Sequence, residues 1–425
     1  MHRSLPIALL LLAGVASIGG RCQAQLELVA KLPPVPGEFG IGRVGFDWVD
    51  QKRPEAPSVA ANAHRELMVY VWYPASAGRG NRSEGVYLPG AKEIEKTSGT
   101  SRIKQNVFED VWPRVLSGEV TSHAQEDVAP AKRTNPFPVI LFSHGGGSTG
   151  FAYTALVECL VSHGYVVAAI EHTYEAAAVV FPDGRVIPYS EENMRRMQKP
   201  PGASYDQMVE NAMSWIRARD DVFAADQRFV LDQLVQLNHN NALPFAGQLD
   251  LNRVAAVGHS MGGQASIRAC QLDDRIKACV NLDGGTVDGV LIKYPGANAP
   301  KQPALYVETP FMPIAADHLK DLHQTGAEWI QQWRARARKQ LQAFEGGSYY
   351  ALLTAHGMSH RSYSDQSLLA ARDRATQKES LRNLQLIEVV TRAFTDKYLK
   401  GIPSALLDHG SQDNRKLLIQ RFNIP

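Results

Sequence analysis

The chain has 425 residues, 44% of them hydrophobic and 21% charged, so it can bury a sizeable core and is not a disordered or low-complexity segment. Its 45 Lys and Arg stand against 43 Asp and Glu, which leaves no overall field to select nucleic acid.

The first element is a leader. His2 and Arg3 precede the apolar run Leu5–Ala16, and small residues follow at Cys22 and Ala24. This predicts a secretory signal peptide over residues 1–24, cleaved after Ala24, and a secreted or periplasmic product. The run is too short for a bilayer span, and no later stretch reaches eighteen apolar residues, so no transmembrane segment is expected.

The remainder, 25–425, reads as one domain of alternating strands and helices. "RELMVYVWYPAS" (65–76) is the first predicted strand, and Gly78 to Pro138 reads as a partly irregular surface region. "FPVILFSHGGG" (137–147) is a strand ending in glycines, and "YTALVECLVSHG" a helix ending at Gly164. "YVVAAIEHT" (165–173) is the next strand, followed by a helical insertion over about 191–245. "RVAAVGHS" (253–260), "IKACVNLDGG" (276–285), "PALYVET" (303–309) and "YYALLTAHG" (349–357) are further strands. A second insertion occupies about 287–347, and "ESLRNLQLIEVVTRAFTDKYLKG" closes the pattern as a helix. Nearly continuous apolar runs suit strands covered on both faces, so the expected fold is α/β: a mostly parallel, doubly wound sheet with helical lid insertions.

Within that pattern, "GHSMG" (258–262) falls between a β-branched run and a small-residue helix. A strand, G-x-S-x-G and a helix make a nucleophile elbow, in which glycines permit a sharp turn that exposes a serine hydroxyl, here Ser260. A serine needs a base, and the base an orienting carboxylate, in the chain order serine, acid, histidine. His356 and His360 both follow the last strand; His360 is the better base because it lies in the loop past the strand end. Asp283 and Glu308 both end strands after the serine; Asp283 is favoured, with Gly284 and Gly285 allowing a sharp exit. For the oxyanion, the "HGGG" loop offers the amide of Gly146, and the residue after the nucleophile offers the amide of Met261. No metal or organic cofactor is needed; His318 and His323 lack a third ligand at metal-site spacing.

These pieces resemble the platelet-activating factor acetylhydrolase family, the lipoprotein-associated phospholipase A2 branch of the α/β-hydrolases. "VWYPAS", "FSHGGG", "AAIEHTYEAAAVVFPDG", "GHSMGG", "NLDGG" and "GMSHRSYSD" occur in that family's order, from about Arg65 to Asp365. The resemblance implies a secreted, calcium-independent esterase acting on phospholipids with short or oxidised sn-2 chains. It places the acid at Asp283 and, through G-x-x-H-x-x-x-x-D, the base at His360. The family's oxyanion loop often carries a bulky residue where Gly146 stands. Related dienelactone-hydrolase-like and polyester-hydrolysing enzymes keep open a broad esterase or cutinase-like alternative. A non-catalytic lipid-binding protein on the same fold is a further one.

Two smaller expectations complete the reading. Of the three cysteines after the leader, Cys270 and Cys279 are the likelier disulfide pair, leaving Cys159 free. In "AEWIQQWRARARKQLQAF", Trp329, Trp333, Ala337, Leu341 and Phe344 share one helix face opposite several arginines, a pattern that can contact a lipid interface.

Overall fold

The structure, a computed structural model, describes residues 31–55, 62–76, 85–190, 192, 205–240, 246–284, 300–309, 331, 334–335, 337–339, 341–409 and 416–424. The expected leader, and Trp329 and Trp333, lie outside the described residues.

Ten strands form the main sheet: β1 (Gly40–Pro54), β2 (His64–Ala75), β3 (Ala124–Glu126), β4 (Phe137–Ser143), β5 (Val166–Glu171), β6 (Leu249–His259), β7 (Ile276–Leu282), β8 (Ala304–Glu308), β9 (Ser348–Leu353) and β10 (Leu417–Phe422). They lie in the order β10-β9-β8-β7-β6-β4-β5-β2-β1-β3. The six strands from β9 to β5 run parallel to one another. β2 is antiparallel to both β5 and β1, and β10 is antiparallel to β9.

The continuous apolar runs have a simple cause. Along β4, Ile140 and Phe142 face one core, while Val139 and Leu141 face a second core on the opposite side. Helices α1 (Thr154–Ser162) and α4 (Arg374–Lys400) cover the first core with Leu156, Leu384, Ile387 and Phe394. Helices α2 (Tyr205–His239) and α3 (Met261–Leu272) cover the second with Ala224, Val230, Leu231 and Ala269. Each fully buried Val, Leu, Ile or Phe side chain here contributes roughly 1.5–3 kcal/mol of transfer free energy, an alanine methyl less. α4 starts at Asp373, whose carboxylate accepts the Thr376 amide at 2.8 Å, and stops at Gly401 in the left-handed region, φ 68°. Among the described residues, no helix is long and apolar enough to cross a membrane.

Three expectations need correction. The stretch read as a partly irregular surface region buries Tyr87, Ile103, Phe108 and Trp112 in the first core. Its elements are too short to show a period, among them Ala91–Lys96, Ile103–Val107 and Trp112–Ser117. Cys270 and Cys279 do meet across α3 and β7, but as free thiols, as is Cys159. The Cys279 thiol donates to Pro303 O at 3.8 Å, and burial pushes the Cys270 thiol well above its ordinary range. Finally, Ala337, Leu341 and Phe344 turn into the second core, so this half of the apolar helix face is spent on packing and not on lipid.

Candidate active site

The turn after β6 is forced by close packing. A Cβ on Gly258 would lie 2.2 Å from Gly262 O, and one on Gly262 would lie 2.2 Å from Ser143 O. Only glycines allow the chain to double back here. Ser260 occupies the apex at φ 55°, ψ −121°, a conformation that costs a non-glycine residue about 1–3 kcal/mol. Its amide donates to Leu282 O at 2.8 Å, which ties the elbow to the end of β7 beside Asp283.

Asp283 is itself left-handed, φ 52°, and 1% exposed. One carboxylate oxygen accepts the Thr309 amide at 2.9 Å, and the other lies 2.7 Å from His360 Nδ1. The Thr309 hydroxyl donates to the same carboxylate at 3.0 Å. His360 opens a 3₁₀ turn, His360–Tyr363, capped reciprocally by Ser359 and Ser362. Pairing Nδ1–H with Asp283 leaves His360 Nε2 as the acceptor, the tautomer a general base requires. The imidazole of His259 lies against that of His360, ring centroids 4.4 Å apart, and stacks on Tyr363 at 5.2 Å. Its Nδ1 meets Tyr153 Oη at 2.7 Å, and burial, then the neighbouring His360, holds it neutral far below the usual imidazole range.

The two alternatives are occupied elsewhere. His356 is 93% exposed and pairs with Glu379 at 2.9 Å. Glu308 is buried at the end of β8, accepting from Tyr350 Oη and, at 3.2 Å, from Arg334 Nε. Burial raises its carboxyl to about 7.

The glycine loop after β4 curls over the elbow. Gly145 donates to Tyr153 Oη at 3.3 Å, Gly147 to Glu175 O at 2.8 Å, and Ser148 to Gly145 O at 2.9 Å. The amide of Gly146 has no such partner among the described residues. A Cβ on Gly146 would meet the Met261 side chain at 3.0 Å, so the two amide-bearing residues read from the sequence adjoin. Tyr153 and Thr309 carry no mark in the sequence, and only the fold brings them to the elbow; His259 stands within the pentapeptide, but its packing on His360 and Tyr363 is visible only in the structure.

Glu171, at the end of β5, braces the far side of this loop by accepting from Thr149 Oγ1 at 3.0 Å and the Gly150 amide at 2.8 Å. Complete burial raises its carboxyl to about 8. The folded state therefore holds a proton that the unfolded chain releases near pH 4.5, and stability is lost as pH rises through that window toward 8. Glu171→Gln, which mimics the protonated form, should melt a few degrees above wild type at pH 8.5 and level with it at pH 5. Scanning calorimetry at the two pH values checks this; an equal difference at both would deny that Glu171 titrates in that window.

His259, Asp283 and His360 also have ligand atoms within 4.8 Å of one another, a spacing open to a metal ion. Two of the three are already joined by the 2.7 Å bond, and Thr309 fills further Asp283 lone pairs, so the group is arranged as an imidazole–carboxylate pair first.

The sequence profile of a family described as platelet-activating factor acetylhydrolase, isoform II, matches residues 27–373. Among curated proteins, the chain is 30% identical over 185 residues to a platelet-activating factor acetylhydrolase of Cavia porcellus, 40% of each chain. It is 26% identical over 262 residues to a probable 1-alkyl-2-acetylglycerophosphocholine esterase of Arthroderma benhamiae, 60% of this chain and 59% of that one. The matches thus span between 40% and 59% of these two relatives' length. A solved ferulic acid esterase from Streptomyces cinnamoneus superposes with a TM-score of 0.64 at 24% identity, over 92% of this chain and 99% of that chain. That likeness places the α/β-hydrolase fold.

Proposed function

The chain belongs to the platelet-activating factor acetylhydrolase, isoform II, family, and from that premise we propose that it is a secreted serine ester hydrolase of phospholipids carrying a short or oxidised sn-2 acyl chain. The observation that carries the reading is the 2.7 Å bond between His360 and a buried Asp283, next to a serine held at a strained elbow. Ser260 is the nucleophile, His360 the base and Asp283 the orienting acid. His360 Nε2 takes the Ser260 proton as Oγ attacks the acyl carbon, and the new imidazolium is stabilised by Asp283. The tetrahedral oxyanion rests on the amides of Gly146 and Met261. His360 then protonates the leaving glycerol oxygen, and a water activated by the same imidazole releases the acid. Secretion is supported by the basic start and apolar run of the first 24 residues. The lipid class is supported by the name of the fungal relative, a probable 1-alkyl-2-acetylglycerophosphocholine esterase.

Three substrates test it: p-nitrophenyl butyrate, a phosphatidylcholine with an acetyl sn-2 chain, and a polyester film. The expected order places the acetyl phospholipid first in kcat/KM, with equal rates in EDTA and in added calcium, because backbone amides polarise the carbonyl. Film erosion with no turnover of the phospholipid would move the substrate class to polyesters. A several-fold calcium requirement would overturn the amide-only mechanism.

A further inference from the structure

Beneath the glycine loop lies a second serine–histidine–aspartate chain. Ser143 Oγ is 2.9 Å from His172 Nε2, and His172 Nδ1 is 2.8 Å from Asp226 Oδ2. All three are completely buried, so no ester can reach the hydroxyl. The proton order follows from the partners. Asp226 is held ionised by Arg65, at 3.1 and 2.6 Å, and by Arg53 at 2.8 Å. His172 therefore donates from Nδ1 and accepts at Nε2. Gln227 Nε2 donates to Ser143 Oγ at 2.8 Å, which directs the Ser143 hydrogen at His172.

This chain fixes one end of a shorter one, at His172. His172's own amide donates to His144 Nε2 at 3.3 Å, and His144 Nδ1 lies 2.8 Å from Gly145 O. With Nε2 accepting, Nδ1 carries the hydrogen and donates to that carbonyl. Burial drives the His144 pKa down to about 3, so the ring stays neutral and keeps this tautomer. Ser148 N–H donates to the same carbonyl at 2.9 Å. Both lone pairs of Gly145 O are then held from below. A peptide unit is planar and trans, so its C=O and N–H point in opposite directions. The N–H opposite Gly145 O is that of Gly146. Arg102 holds the next two peptides, through Gly146 O at 3.4 Å and Gly147 O at 3.1 Å.

We propose that His144 is the positioning residue of the oxyanion hole: by donating to Gly145 O it aims the Gly146 amide at the reacting carbonyl, and the buried Asp226–His172–Ser143 chain holds it in that role. This rests on the esterase reading above. His144 touches no substrate. Its effect is exerted through one peptide plane, at the point where charge develops, so it belongs to the transition state and not to substrate binding.

The test uses p-nitrophenyl butyrate and a trifluoromethyl ketone, whose serine adduct carries the oxyanion. His144→Gln can keep an acceptor near Nε2 but loses the donor at Nδ1; His144→Asn places an amide nitrogen where Nδ1 stood. Losing an oxyanion donor typically costs roughly 10²–10³-fold in kcat, and misaiming one should cost somewhat less. His144→Ala and His144→Gln should lose about 30- to 100-fold in kcat with KM within about threefold, and His144→Asn should recover most of it. Ketone affinity should fall in parallel with kcat. A role confined to folding would lower the melting temperature and leave the kcat of the folded fraction, and the Asn–Gln difference, unmoved; that result overturns the proposal. If Ser260→Ala remains active, it is the esterase reading that has failed. Should the alanine and glutamine variants not fold, Ser143→Ala removes a single oxygen and leaves His144 present. A kcat drop of about tenfold at unchanged KM then supports the proposal, and wild-type kcat overturns it.

Discussion

Ser260→Ala should lower kcat for p-nitrophenyl butyrate by roughly 10⁴- to 10⁶-fold while the protein stays folded. The alanine fits the elbow as the serine does, because the constraint there is the approach of Gly258 to Gly262 and of Gly262 to Ser143 O, not the hydroxyl. Among the described residues the Ser260 side chain makes no cap hydrogen bond to α3, so removing the hydroxyl orphans no cap donor. The residual rate should come from the amides of Gly146 and Met261 acting on a water-attacked ester. Two measurements check it: the steady-state rate, and the intact mass after a fluorophosphonate. The wild type should gain one adduct, absent in the variant. Hydrolysis within tenfold of wild type would take the nucleophile away from Ser260.

Asp283→Asn should cost about 10³- to 10⁴-fold, whereas Glu308→Gln should stay within about tenfold of wild type. Both carboxyls end adjacent parallel strands, so the comparison turns on what each holds. Asp283 meets His360 Nδ1 at 2.7 Å and is itself fixed by Thr309. An asparagine can turn its NH₂ toward Nδ1, which then must accept, putting the hydrogen on Nε2 and disabling the base. Glu308 is raised to about 7 by burial and is bonded to Tyr350 and Arg334, so glutamine resembles the form it already populates near neutral pH. kcat of the two variants at pH 8 decides the matter. A severe Glu308→Gln with a mild Asp283→Asn would move the acid to the end of β8.

What could be read from the sequence was whatever burial or a tight turn writes into a continuous run. β4 to β9 declare themselves because two cores cover them, and the elbow because close approach admits only glycine. β1 escaped that reading: from Val44 to Val49 it alternates half-buried and exposed residues, so it has no apolar run. The short pieces of 85–126 escaped because elements of five or six residues carry no measurable period. Within the candidate site, the Ser260 turn and the bonded pair Asp283 and His360 each lie in a local pattern, whereas Thr309, Tyr153 and Asp226 do not. Their partners are 26, 106 and 161 residues away in the chain, at Asp283, His259 and Arg65, and nothing local marks them. The cysteines show a different limit: the adjacency of a helix and a strand could be read, but whether Cys270 and Cys279 bond could not, and the structure has two thiols.

The Asp226 contact has a consequence for how the chain folds. Its carboxylate joins Arg65 from β2, His172 from the end of β5 and, through His172, Ser143 from β4, across sequence separations of 161, 54 and 29 residues. The loop-closure entropy of these joins is met only when the sheet is closed and α2 is laid across it. The elbow can form once β4, β6, β7 and α3 have met, since its close approaches are to Ser143 O and Leu282 O. The aim of the glycine loop cannot. On the reading proposed above, a partly refolded chain lacking a docked α2 holds Ser260 and the Met261 amide at the elbow without the aimed Gly146 amide, and full esterase activity should return only after α2 has docked. Recovered activity on refolding should then report on long-range closure.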